Sequence, residues 1–66
     1  MLPQLTARLV DLNHKIAGTE LTSAKLAGLP VTKDRERLLA MNAHLLDYLH
    51  EARLGILVEM ARLDAT

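Results

Sequence analysis

The 66-residue sequence contains no cysteine, phenylalanine or tryptophan, and Tyr48 is its only aromatic residue. The absence of cysteine excludes disulfides and thiolate metal sites, and it fits a reducing compartment. Half of the residues are nonetheless hydrophobic. A chain that builds its core from Leu, Ala, Ile and Met is typical of helices packed against helices. A domain of this size buries too little surface to be comfortably stable without a metal, disulfides or association.

The sequence also has no excess of one charge, because eight Lys and Arg balance eight Asp and Glu. A protein that binds nucleic acid through phosphate contacts usually has a basic excess or a basic stripe. The balance therefore disfavours nucleic acid as the partner. There is no signal-peptide pattern, and no apolar run approaches the roughly 20 residues that span a bilayer. We expect a cytoplasmic protein without a membrane span.

An apolar stripe in the N-terminal part of the chain predicts a first helix over about residues 3–27. Apolar residues recur there at alternating steps of three and four, which places them along one side of a helix. They are Leu2, Leu5, Leu9, Leu12 and Ile16. Beyond Ile16 the stripe weakens and is resumed imperfectly by Leu21, Ala24 and Leu26. A bend near Gly18 remains open at this point.

The stretch AGLPVTKD predicts a loop over residues 28–32. Gly28 is expected to end the first helix in the left-handed conformation, and Pro30 cannot continue it. Thr32 offers a hydroxyl as the N-cap of a second helix over about residues 33–63. Asp34 and Glu36 suit the positive end of that helix.

The second helix has a wider apolar sector than the first. One stripe, broken by Asn42, consists of Leu38, Leu45, Leu49, Ala52, Ile56 and Leu63. Leu39, Met41, Leu46, Leu57 and Met60 flank it. Because the loop is short, the two helices should be antiparallel neighbours in an all-α helical hairpin. A hairpin covers one stripe per helix, so the surplus predicts a partner: an apolar helix of another protein, or a second copy that completes a four-helix bundle.

The expected contact face lies in the C-terminal half of the second helix. It consists of Leu46, Leu49, Arg53, Leu54, Leu57, Val58 and Met60. Gly55 lies inside this run, where a glycine costs about 1 kcal/mol relative to alanine. It is either incidental or it marks the close approach of another backbone.

No catalytic residue, metal ligand or cofactor site is predicted. The chain has no nucleophile paired with a base and no glycine-rich phosphate loop. His44 and His50 are about 120° apart on a helix, too far around it for the usual ligand spacing. Together with His14 they are interpreted as ordinary surface or boundary residues. A helix-turn-helix around Gly28 is disfavoured by Pro30 in the turn and by the length of the flanking helices.

The segment from Arg35 to Leu63 resembles the last helix of the flagellar export chaperones of the hook-associated proteins and the filament cap. The residues that carry the resemblance are Asn42, Leu45, Leu46, Leu49, Arg53 and Leu57. The small chaperones of type III secretion needle subunits are similar in architecture. Both resemblances imply a cytoplasmic helical protein that holds the apolar helix of an export substrate or co-chaperone before secretion.

The sequence is consistent with two functions. The first is a non-catalytic chaperone or adaptor that covers an apolar helix of a secretion or flagellar export protein. The alternative is a homodimeric four-helix-bundle regulator that contacts RNA or DNA through Lys33, Arg35 and Arg37.

Overall fold

The computed structural model describes residues 2–65, which form two α-helices joined by a short loop. Helix α1 spans Leu2–Ala27 and helix α2 spans Lys33–Ala65. The helices pack along their length in a body of 52 × 15 × 12 Å. The all-α hairpin expected from the sequence is confirmed, and the helix ends lie within two residues of the predicted bounds.

Helix α2 begins with the N-cap that the sequence indicated. The backbone N–H of Arg35 donates a hydrogen bond to Thr32 Oγ1 at 3.1 Å. The N–H of Glu36 donates to the carbonyl oxygen of Thr32 at 3.1 Å, which is the first bond of the helical ladder. Asp34 and Glu36 lie in the first turn, next to the free N–H groups there. The start of α2 is therefore fixed by local chemistry.

Helix α1 ends differently from the prediction. No glycine in residues 2–65 has a positive φ, so the expected left-handed conformation of Gly28 is wrong. The N–H groups of Gly28 and Leu29 instead donate to the carbonyls of Lys25 and Leu26, at 3.2 and 3.1 Å. Bonds of this i to i−3 type tighten the last turn, which then opens into the loop without a left-handed residue.

The Arg35 side chain completes the end of α1. Its guanidinium donates to the carbonyl oxygens of Ala27 and Leu29, at 3.2 and 2.8 Å, and to Glu36 Oε1 at 2.9 and 3.1 Å. Carbonyls at a helix C-terminus have no intrahelical donor, and a cation suits the negative end of the helix dipole. One residue of α2 thus ties the loop and the end of α1 to its own helix.

A single seam joins the two helices. Side chains that are buried or half-buried recur in each helix at alternating steps of four and three, the pattern of a coiled coil. In α1 they are Leu5, Leu9, Leu12, Ile16, Thr19, Ser23 and Leu26. In α2 they are Arg35, Leu39, Asn42, Leu46, Leu49, Arg53, Ile56, Met60 and Leu63, with Ala52 half-buried beside them.

The seam differs from the predicted stripe of α2 in two ways. Leu38 and Leu45, assigned to the stripe, are exposed, whereas their neighbours Leu39 and Leu46 face α1. Asn42, expected to break the stripe, lies within the seam. The sequence contains two leucine pairs at the same heptad spacing, and in each pair the second leucine faces α1.

The seam in α1 also departs from the prediction after Ile16. It continues through Thr19 and Ser23, whereas Leu21 and Ala24 are exposed. The helix runs unbroken past Gly18. The side chain of Leu2, first in the predicted stripe, lies outside the part of the chain that the structure describes.

Candidate partner-binding surfaces

The exposed apolar side chains of α2 fall on two sides of the hairpin. Residues in a helix are about 100° apart, so Leu38, Met41, Leu45 and Tyr48 lie on one flank of the seam. Leu54, Leu57 and Val58 lie on the opposite flank and on the back of the helix. The hairpin therefore carries two separate apolar surfaces.

The first surface, here called the groove face, contains a groove between the helices. The groove has a volume of about 490 Å³. Its lining residues are Lys15, Gly18, Thr19, Thr22, Asn42, Leu45 and Leu49. It is open because α1 has small side chains there. Within the described chain, nothing lies within 4 Å of the position that a Cβ on Gly18 would occupy.

Small threonines are held in fixed positions along this groove. Thr19 Oγ1 donates to the carbonyl oxygen of Lys15 at 2.8 Å, and Thr22 Oγ1 donates to that of Gly18 at 3.0 Å. The hydroxyls are thereby satisfied within their own helix and need no partner from a molecule that covers the groove. Lys15 is paired with Asp11 at 3.0 Å, with both side chains mostly exposed. The floor of the groove is therefore less polar than its sequence indicates.

The second surface, here called the far face, is formed by Leu54, Leu57 and Val58. Their exposed fractions are 62%, 41% and 46%, so the hairpin leaves each of them largely uncovered. A shallow depression of about 540 Å³ lies over part of this face. Leu54 and Val58 line it together with Gly55, and charged residues surround them: Glu51, Glu59 and Arg62. An apolar centre within a charged rim is the usual arrangement of a protein interface.

Gly55 leaves room for an approaching backbone. Nothing within the described chain lies within 4 Å of the position that a Cβ on Gly55 would occupy. The close approach considered from the sequence is therefore absent within the hairpin itself. Any backbone that approaches Gly55 belongs to another molecule.

The predicted contact residues are divided between the seam and the surface. Leu49 is only 4% exposed and packs against α1. Leu46, Arg53 and Met60 are half-buried in the same seam. The remaining three, Leu54, Leu57 and Val58, form the far face. These three are the exposed members of the predicted set.

The row of exposed side chains along the groove face, here called the ridge, was not predicted from the sequence. Leu38, Met41, Leu45 and Tyr48 are spaced by three, four and three residues, and all four are exposed. This spacing is itself the signal that could have found them, because it defines a second stripe beside the seam. The prediction merged the two stripes, since each contains leucines at heptad spacing.

Arg53 occupies an unusual position for a charged residue. Its Nε atom is buried and has no hydrogen-bond partner within the described chain. The side chain lies in the seam, where its aliphatic stem packs among apolar residues. Arg53 therefore contributes packing to the hairpin and leaves one buried donor unmatched.

The three basic residues expected to contact RNA or DNA differ in their exposure and in their hydrogen bonds. Lys33 and Arg37 are exposed. The Arg35 guanidinium is engaged by the carbonyls of Ala27 and Leu29 and by Glu36. A phosphate contact through Arg35 would have to break these bonds.

Two general features complete the description of the surface. Residues 2–65 contain no cluster of three or more His, Asp or Glu side chains arranged to hold a metal ion. Neither helix, over its described length, has a stretch apolar enough to cross a membrane.

Comparisons with known proteins give no relative for this chain. No family model, no curated protein and no solved structure matches it.

Proposed function

We propose that the protein is a non-catalytic helix-binding protein, a small chaperone or adaptor that covers an apolar helix of another protein with its far face. The observation that carries the proposal is the exposure of Leu54, Leu57 and Val58 on a helix whose seam is already filled by α1. Three large aliphatic side chains within five residues form a contiguous apolar patch rather than scattered exposure.

The form of the patch favours a helix as the ligand. Leu54 and Val58 are one turn apart and form a short ridge, and the Gly55 backbone lies open beside them. Ridges of one helix pack into the grooves of another, and a glycine permits a close approach. An amphipathic helix with aliphatic side chains would thus bury the patch, while Glu51, Glu59 and Arg62 would remain at the hydrated rim.

The resemblance of residues 35–63 to export chaperones supplies the class of partner. In such a system the partner is the apolar helix of a secretion substrate or a co-chaperone, which must be covered before it is exported. The far face suits this task because its centre is apolar and its rim is charged.

Site-specific crosslinking tests the proposal. A photoreactive amino acid replaces Leu54 in the native host, and crosslinked partners are identified by mass spectrometry. The matched control carries the same amino acid at Ala40, an exposed position in the same helix outside both apolar surfaces. The proposal requires a partner crosslinked from position 54 and not from position 40, through a segment with an amphipathic helical pattern.

Binding of the identified segment is then measured directly. A synthetic peptide of the segment is titrated into the wild-type protein and into Leu54→Glu and Val58→Glu variants. An unpaired charge buried in the contact should weaken binding by several kcal/mol, while the exposed positions leave the hairpin folded. Equal affinity of the variants and the wild type, with helicity preserved, would refute the assignment of the far face.

A further inference from the structure

The hairpin exposes more surface than a protein of its mass normally does. Its accessible surface is 5145 Å², whereas a globular protein of 7.3 kDa exposes about 4200 Å². The excess arises from its shape, since a body 52 Å long and two helices wide has no inner layer. A small chain with this excess gains stability if a further layer covers one side.

The groove face has the shape that a second copy requires. A two-fold dimer joins the same patch on both subunits, so the patch must fit itself. The groove face contains both a raised ridge and a depression. The ridge consists of the large exposed side chains Leu38, Met41, Leu45 and Tyr48, and the depression lies along Gly18 and Thr22 of α1.

The C-terminal half of the ridge lies at the height of the groove. Asn42 contacts Ser23, so residues whose numbers add to about 65 lie side by side in the antiparallel pair. Tyr48 is therefore level with the turn that contains Gly18, and Leu45 lies between the levels of Gly18 and Thr22. A two-fold axis parallel to the helices preserves height, and it places α2 of each copy over α1 of the other. Leu45 and Tyr48 of one copy then meet the small residues around Gly18 and Thr22 of its partner.

The net charge favours this pairing. The formal charge of the chain is zero at pH 7, so two copies do not repel one another through their total charge. Net charge therefore does not oppose the association of two copies.

The surface that two hairpins would bury to reach ordinary compactness matches that of a stable dimer. A globular particle of twice the mass exposes about 6900 Å², so two hairpins that reach ordinary compactness bury about 3400 Å² in total. This value lies within the range of about 2000–5000 Å² that obligate homodimers bury.

We propose that a second copy of this chain covers the groove face, forming a four-helix bundle in which the ridge of each copy fills the groove of the other. The proposal does not depend on the helix-binding function, because it uses the opposite side of the hairpin. The far face remains free in the dimer, and each dimer therefore presents two copies of it.

Sedimentation equilibrium of the purified chain tests the dimer. The wild-type protein should sediment at twice its monomer mass at micromolar concentration. Met41→Glu places a charge within the ridge and should raise the dimer dissociation constant by at least about a hundredfold. Leu54→Glu, which carries the same change on the far face, should remain dimeric.

A second variant keeps the test decisive if Met41→Glu does not fold. Gly18→Leu fills the groove from α1, and because the site is open within the hairpin, the monomer should keep its helicity. The dimer should nevertheless dissociate, since the ridge of the second copy loses its space. If the wild-type protein is still monomeric at a concentration of about 0.1 mM, the proposal is wrong. A Gly18→Leu dimer as tight as the wild type, or dissociation caused by Leu54→Glu alone, would also overturn it.

Discussion

Asn42 Nδ2 donates a hydrogen bond to Ser23 Oγ at 3.3 Å, and this pair joins α1 and α2 within a largely aliphatic seam, towards its loop end. The two residues are 19 apart in the sequence and are partly buried. The short loop already holds the helices antiparallel, but a buried amide loses its partner if α2 rotates about its own axis. The pair therefore favours the face of α2 that meets α1, and the positions of the two apolar surfaces depend on that face.

The first prediction is that Asn42→Leu weakens specificity rather than stability. A leucine at this position adds aliphatic contacts, so the thermal midpoint should stay equal or rise. The face of α2 that meets α1 is no longer selected by a polar pair, and sedimentation velocity should resolve more than one oligomeric species. Asn13→Leu, the same change at an exposed position of α1, should leave the species distribution as in the wild type. A single species with a lower midpoint would mean that the polar pair contributes mainly stability.

The second prediction concerns the Arg35 side chain at the end of α1. Arg35→Ala removes the donors to Ala27 and Leu29 and should lower the free energy of unfolding by about 1–2 kcal/mol. Arg37→Ala, two residues further along the same helix, changes an exposed arginine and should cost less than about 0.5 kcal/mol. Urea denaturation measures both. Equal stability of the two variants would show that the loop carbonyls are satisfied as well by water.

The third prediction concerns Gly28, which ends α1 without a left-handed conformation. A Cβ on this residue would lie 3.5 Å from the carbonyl oxygen of Lys25, an ordinary contact. Gly28→Ala should therefore raise the free energy of unfolding by about 0.4–1 kcal/mol, because alanine restricts the unfolded chain. Gly28→Pro is the contrasting variant, since it removes the N–H that donates to Lys25 and should destabilise the protein. A loss of stability in Gly28→Ala would restore the left-handed interpretation.

Local signals in the sequence were sufficient for the architecture. The N-cap at Thr32 and the loop around Pro30 are set by residues within a few positions of each other, so the sequence alone located them. The end of α1 is different in kind. Its carbonyls are satisfied by Arg35, a side chain from the next helix, and no local rule relates Arg35 to Ala27.

The orientation of α2 about its axis could not be read from hydrophobicity alone. Leu38 and Leu39, and likewise Leu45 and Leu46, offer two stripes of equal apolar character. The stripe that faces α1 in the structure contains Arg35, Asn42 and Arg53. A count of apolar residues alone therefore favours the other stripe. The place of each polar residue in the seam depends on tertiary contacts. Arg35 donates to the carbonyls of Ala27 and Leu29, and Asn42 donates to Ser23. Arg53 packs its long aliphatic stem in the seam.

The last prediction concerns Arg53, whose buried Nε has no partner within the described chain. An arginine stays charged in proteins, so the unmatched donor cannot be removed by deprotonation. Methionine has a similar length and flexibility and fills irregular space without a polar atom. Arg53→Met should therefore raise the free energy of unfolding by about 1 kcal/mol, because a buried unsatisfied donor costs about 1–3 kcal/mol. Urea denaturation of this variant beside Arg37→Met, which replaces an exposed arginine, isolates the effect of burial from that of charge. If Arg53→Met is the less stable of the two, the guanidinium makes bonds at the edge of the seam that outweigh its buried nitrogen.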